Sequence, residues 1–154
     1  MENNNVTFPQ ADDFEKILVI VNISNPNDLF DKSVVSKALG DISDRQVMYY
    51  LSACEYLGLI THGKVFTNLG NEIRDLKQGG KQNIELARLI ISNKIFGTVF
   101  FYDLMFKTKF SISDISDVLR KQVPNLSDEV YKRRSQTVRS WIDWIHNEFD
   151  DHVD

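Results

Sequence analysis

The run Ser43-Asp44-Arg45-Gln46-Val47-Met48-Tyr49-Tyr50-Leu51-Ser52-Ala53-Cys54-Glu55-Tyr56-Leu57-Gly58-Leu59-Ile60 decides how the rest of the chain is read. Ser43 is a favoured N-cap, because its hydroxyl accepts a bond from an orphan first-turn amide. At 100° per residue, Val47, Tyr50, Leu51, Cys54 and Leu57 then share one side of the helix that follows, and this side faces a core. Arg45, Tyr49, Ser52 and Tyr56 lie opposite, with Gln46 and Ala53 at the edge. Gly58 stops the helix. Leu59-Ile60-Thr61-His62 and Lys64-Val65-Phe66-Thr67, on either side of Gly63, read as two short strands joined by a tight turn.

Working outward, Phe14, Ile17, Leu18 and Val21 recur at helical spacing, with Asp12, Asp13 and Glu15 where a helix N-terminus favours acids. Ser24-Asn25-Pro26-Asn27-Asp28 breaks that helix. Asp31 caps a short second one carrying Val34, Val35, Ala38 and Leu39, which Gly40 ends. A further helix runs from Leu69 to Lys77. Helix, helix, turn, helix, hairpin, helix is the order of a winged helix-turn-helix. Gly79-Gly80 punctuates the chain, and beyond it almost everything is helical. The segment from Gln82 to Lys94 is followed by the nearly all-apolar stretch from Phe96 to Phe106, which reads as a central core helix. Ser111 or Ser113 caps a short helix, Pro124-Asn125 makes a turn, and Ser127 opens a long last helix to about Asn147. The expected fold is therefore mostly α with a small β-hairpin. A polar tail over 1–10 precedes a winged helix-turn-helix over 11–78. A second, wingless helix-turn-helix-like helical unit over 81–148 follows, and an acidic tail over 149–154 ends the chain.

A shift of 88 residues lays Arg45 on Arg133, Gln46 on Arg134, Tyr50 on Val138 and Leu57 on Ile145, so the second unit reads as a degenerate repeat of the first.

The net charge of −4 argues against a nucleic-acid partner until its distribution is considered. Six acids in the first 31 residues face Lys16 alone, and Glu148, Asp150, Asp151 and Asp154 face no base, so the stretch 32–147 carries +5. No run approaches the roughly 18 apolar residues of a membrane span, and the polar start has no signal pattern, which makes the expected location cytoplasmic and the expected partners not membranes. Cys54 lies on the apolar side of its helix and reads as a buried thiol. Catalysis is not expected: there is no phosphate-binding glycine loop, no metal-spaced Cys/His set, and His62, His146 and His152 are scattered. Asp75-Leu76-Lys77 has the form used by some metal-dependent nucleases, without the strand and upstream acid that hold the ion. No cofactor and no metal are expected.

Arg45, Gln46, Tyr49 and Ser52 form the first candidate DNA-binding set, since Arg bridges guanine O6 and N7 and Gln pairs with adenine. The hairpin tip adds Lys64. The last helix adds Lys132, Arg133, Gln136 and Arg139, the densest basic patch and a candidate for phosphate contact.

The run over 43–60, with Phe66-Thr67-Asn68-Leu69-Gly70 after it, resembles a winged-helix module of type II restriction endonucleases. The tandem layout of the two units is more weakly similar to winged-helix domains appended to ATPases. The first resemblance covers about residues 12–77 and implies target recognition, with Arg45, Gln46 and Tyr49 on the recognition helix and a nuclease elsewhere. The second implies docking onto proteins. Two readings follow. One is a double-stranded DNA-binding protein, a target-recognition or regulatory component of a restriction-type or transcriptional system. It would act as a homodimer or through two units in one chain, beside a nuclease or ATPase subunit. The other is a docking module without DNA binding, with Tyr49 and Tyr56 as anchors. The helix order, the Arg45 face and the basic patch favour DNA.

Overall fold

The computed structural model describes residues 7–149. The acidic tail read over 149–154, apart from Phe149, and most of the polar tail read over 1–10 lie outside the described residues. Asp13 starts α1 (Phe14–Val21), its carboxylate accepting from Glu15 N, and the helix buries Phe14, Ile17, Leu18, Ile20 and Val21. A 3-10 turn over Pro26–Phe30 leads to Asp31, which accepts from Ser33 N and Val34 N and so starts α2 (Lys32–Ala38). Ser43 Oγ accepts from Gln46 N at the head of α3 (Asp44–Tyr56), and Thr67 Oγ1 accepts from Gly70 N at the head of α4 (Asn68–Asp75). Then come α5 (Gly80–Ser92), α6 (Lys94–Phe106), α7 (Ile112–Gln122) and α8 (Asp128–Phe149). The helices expected from side-chain spacing and caps are present, with ends moved by a few residues.

The hairpin wing is not. Among the described residues the only β-pairing is one isolated antiparallel bridge between Ile60 and Phe66, so the fold is all-helical and not a winged helix-turn-helix. The reason is length. Gly58, at φ +78°, ends α3 just before this segment, and Thr67 is already the cap of α4. Within the turn, Lys64 N donates to Thr61 O at 3.0 Å and Thr61 N to Val65 O at 2.8 Å, leaving about one residue pair to meet across it. The β-branched composition is real, but caps on both sides take the residues a strand would need.

The chain divides into two compact units between Glu85 and Leu86, within α5, a few residues past the Gly79-Gly80 punctuation. In the first unit, α1 and α3 face each other across a core of Ile17, Leu18, Val47, Leu51 and Cys54, to which Leu29, Val35, Leu59 and Ile73 contribute. Burial pushes the Cys54 thiol up to about 12, so it is a packed apolar group at neutral pH. Thr67 Oγ1 also donates to Gly58 O at 2.6 Å, tying the end of α3 to the start of α4. Only glycine fits at 70: a Cβ there would collide with the Leu59 carbonyl and press on the Phe66 ring. Arg74 reaches from α4 to the carbonyls of Val21 and Ser24, at 3.1 and 3.2 Å. Gln82, fully buried, exchanges amide hydrogen bonds of 2.9 Å with Asn22.

In the second unit, Phe96 stacks on Trp141 with ring centroids 5.0 Å apart, and Ile115, Leu119, Val138 and Ile142 complete the core. The small side chains of Ser116 and Ser135 let α7 and α8 approach closely, their hydroxyls 2.9 Å apart. The nearly all-apolar α6 is not buried all round as its composition suggested: Phe101, Leu104, Met105 and Phe106 are exposed at its C-terminal end. Among the described residues no single helix is long and apolar enough to cross a membrane.

The two units use related helix pairs. Both α2 and α7 are joined to the next helix by five residues, 39–43 and 123–127, whose third residue is left-handed (Asp41 at φ +60°, Asn125 at φ +73°). Each turn ends in a serine whose Oγ accepts from the amide three residues on, Gln46 N at 3.2 Å and Val130 N at 3.3 Å. The register that superposes turns and caps is 84 residues, not 88. The larger value slides α8 by one helical turn to match Arg45 with Arg133. At 84, Val35 and Leu119, Val47 and Tyr131, Leu51 and Ser135, and Cys54 and Val138 coincide, and all are buried.

Candidate nucleic-acid interface

The solvent side of α3 follows from the burial of the other. With Val47, Tyr50, Leu51 and Cys54 in the core, Arg45 and Gln46 are exposed and Tyr49 and Ser52 half-buried along the opposite face. Tyr50 is further anchored where its hydroxyl accepts from Asp13 N at 3.1 Å, and burial raises its pKa above 10.0. Arg45 and Tyr49, one helical turn apart, act as one group. Arg45 Nε donates to the Tyr49 hydroxyl at 2.7 Å, and the guanidinium carbon sits 5.5 Å from the ring centroid. This holds a planar donor set at the helix surface with its rotamer freedom already reduced. Lys64, expected at a hairpin tip, occupies the turn after α3 at φ +65° and bends back so that Nζ donates to His62 O at 3.3 Å. The His62 ring lies 3.4 Å from Glu55 Oε1, linking that turn to α3.

In the second unit Lys132, Arg133 and Gln136 are exposed on the N-terminal half of α8. Arg139 does not join them. Its side chain is 12 % exposed and inserted between two carboxylates, donating to Asp103 through Nη1 at 3.2 Å and Nη2 at 2.5 Å, to Asp143 through Nε at 3.0 Å, and to Phe110 O at 2.8 Å. As a DNA-binding residue it is corrected to an internal ion-pair partner. Asp103 also accepts from Phe110 N at 2.8 Å and lies 2.9 Å from His146 Nε2. Burial works against ionising Asp103, but the bonds from Arg139, Phe110 N and His146 outweigh it and hold the carboxyl below its usual value of 3.8. Arg139 is desolvated, which works against its charge, but its bonds to Asp103 and the nearby Asp143 carboxylate outweigh this and hold the guanidinium above its usual value. Sequence reasoning missed this cluster. Its signal was a lone carboxylate in the otherwise apolar run of α6.

Thr98 and Tyr102 of α6, Phe110 of the segment that follows it, and Asp114, Asp117 and Lys121 of α7 line an open groove of about 370 Å³. Its carboxylates have partners: Asp114 accepts from Ser111 N and Asp117 pairs with Arg120. Among the described residues no three His, Cys, Asp or Glu side chains converge as metal ligands.

No curated protein and no solved structure matches the chain significantly. One family does, over residues 16–150, a stretch running from within α1 through all of α8. With most of the chain inside that match, the protein belongs to the family described as Domain of unknown function (DUF7226).

Proposed function

We propose that the protein binds double-stranded DNA through the solvent face of α3. It would do so as a target-recognition or regulatory component of a restriction-type or transcriptional system in the cytoplasm, working beside a nuclease or ATPase subunit. The observation that carries this reading is the α2, turn, α3 arrangement with the Arg45–Tyr49 pair on its exposed face. A helix presented by a preceding short helix and turn is the shape that enters a major groove. With Nε held by Tyr49, the two terminal nitrogens of Arg45 supply the parallel donors that guanine O6 and N7 accept, and Gln46 offers the donor and acceptor that match adenine. Ser52, two turns along, extends the contact toward sugar and phosphate. The role is binding and not catalysis.

Docking without DNA has less support. The Tyr49 hydroxyl is engaged by Arg45, and the Tyr56 ring packs on Phe8 with centroids 5.7 Å apart, so neither anchor is disengaged.

The test is selection from a random duplex pool, followed by titration of selected and unselected duplexes at two salt concentrations. Salt-dependent binding is expected, with Arg45→Ala and Gln46→Ala each flattening sequence preference by about 1–3 kcal/mol at one base position. Absence of binding at low salt overturns the proposal. So does binding that both substitutions leave unchanged.

A further inference from the structure

We propose that the C-terminal half of α6 is the centre of a two-fold interface with a second copy of this chain. The contact lies wholly on the second unit and does not depend on the DNA reading of α3. Phe101, Leu104, Met105 and Phe106 are 57, 51, 63 and 64 % exposed. Single exposed apolar residues are ordinary, but four at one helix end form a patch of the kind that marks an interaction site. At 100° per residue they fall on one continuous arc of the helix, which Tyr102 completes. The rings of Phe101 and Phe106 lie 6.3 and 6.0 Å from that of Tyr102, which stacks on Phe110 at 5.2 Å. The exposed rings thus rest on an aromatic base, which lowers the ordering cost of covering them.

What covers the patch follows from its two flanks, which carry opposite charge. Toward α7, beyond Tyr102 and Phe110, Asp114 and Asp117 border the open groove, with Lys121 one turn further on. The partner of Asp114, Ser111 N, brings no opposing charge, and Asp117 stays 66 % exposed while pairing with Arg120. Toward α8, Lys107 ends α6, and Lys109 reaches Asp143 at 3.3 Å with its side chain still 59 % exposed. A two-fold axis running between the flanks lays the apolar centre on its own copy and sets the acidic flank of each chain against the basic flank of the other. Covering the four side chains removes roughly 400 Å² per copy, about half of what a standard interface buries on each side, so the charged flanks are needed to complete it. An anionic lipid surface would suit the lysines and rings, but it repels the acidic flank and a chain of net charge −4.

The experiment follows the full chain by analytical ultracentrifugation over a concentration series without nucleic acid, with folding checked by circular dichroism. A reversible dimer is expected. Phe106→Glu, at an exposed position, should raise its dissociation constant about 30-fold or more. Lys107→Glu and Asp117→Lys should each weaken it by about 3–10-fold, since two rim pairs change per dimer. Mixing these two variants should restore wild-type association, because across the two-fold each altered flank again meets its opposite. A wild-type chain that is monomeric at about 0.1 mM overturns the proposal. So does a dimer that Phe106→Glu leaves intact, which places the contact elsewhere. A mixture that associates no more tightly than either charge variant alone overturns the two-fold arrangement and with it the second copy. Co-sedimentation of a monomeric wild-type chain with phosphatidylserine vesicles, lost in Phe106→Glu, assigns the patch to a lipid surface and overturns it for a second copy.

Discussion

The pairs α2/α3 and α7/α8 are built to one plan and secured by different chemistry. In the first, Ser36 Oγ donates to Ile42 O at 2.5 Å across the turn, and the helix behind it buries a thiol and aliphatic side chains. In the second, the Tyr131 hydroxyl spans the turn, donating to Val123 O at 2.6 Å and accepting from Leu126 N at 3.1 Å. Behind it lies a network in which buried Asp103 holds Arg139 and His146, and Arg139 also reaches the partly exposed Asp143. The turns themselves part at their second residue, Gly40 at φ +91° in one and Pro124 in the other. What the pairs share is therefore short-range: loop length, one left-handed residue and a hydroxyl cap. What distinguishes them is long-range, and the long-range part decides which cations stay on the surface. Arg45 has no buried carboxylate to draw it in, whereas Arg139 has two carboxylates within reach.

The sharpest way to break the contrast is to remove Asp103. Its side chain is 2 % exposed, and it receives bonds from Arg139 and Phe110 N and contacts His146. Asp103→Ala leaves the guanidinium short of one partner in a dry site, and the expected cost is about 3–5 kcal/mol. Urea unfolding followed by tryptophan fluorescence reports it, since Trp141 and Trp144 both lie in the second unit. A loss below 1 kcal/mol would mean that the network adds little beyond the apolar core. Because the folded pKa of Asp103 is depressed, its contribution is complete above the unfolded value near 3.8 and fades as pH falls through the folded value. The wild-type second unit is thus expected to lose stability below about pH 4, and Asp103→Ala to lose that part of its acid sensitivity.

How much of this was legible depends on range along the chain. The serine at 43, the aspartate at 31 and the apolar spacing of α1 and α3 are interactions within about four residues, and their helices could be read directly. The hairpin was over-read because Leu59 to Thr67 has strand composition, while the competing demand, Thr67 as a cap whose hydroxyl also reaches back to Gly58, joins groups nine residues apart. The 88-residue shift that matches Arg45 to Arg133 rewards side-chain likeness and lies one helical turn from the 84-residue shift at which the turns coincide. That coincidence is set by backbone at Asp41 and Asn125. For Arg139, helical spacing placed the side chain away from the hydrophobic stripe. Only the approach of α6, whose Asp103 is 36 residues distant, shows that this side is also interior.

The first unit has its own point of closure at Gly70. Gly70→Ala drives a methyl group into the Leu59 carbonyl, so α4 must move away from the turn that precedes it. The expected cost is about 1–3 kcal/mol, less than that of Asp103→Ala and confined to the first unit. Amide exchange is the measurement. Protection should fall in α4 and at Thr67 N, which donates to Leu59 O, while α7 and α8 keep theirs. Equal loss in both units would show that they unfold together and that the two closures cannot be separated.

The smallest effect bears most directly on the shared plan. Asp41 and Asn125 hold the same left-handed position, where a β-branched side chain is strained and glycine is not. Asp41→Val and Asn125→Val should each cost about 1–2 kcal/mol, and Asp41→Gly and Asn125→Gly should be close to neutral. The informative quantity is the difference between the two sites. Near-equal penalties mean that the five-residue turn has the same backbone requirement in both units, as the 84-residue register implies. A penalty at 125 alone would mean that Gly40, already left-handed beside Asp41, lets the first turn redistribute the strain, whereas Pro124 with its fixed φ cannot. Gly40→Ala separates these cases. Its Cβ meets no atom within 4 Å, so any cost it shows is backbone strain at φ +91°, and adding it to Asp41→Val tests whether the two residues share one burden.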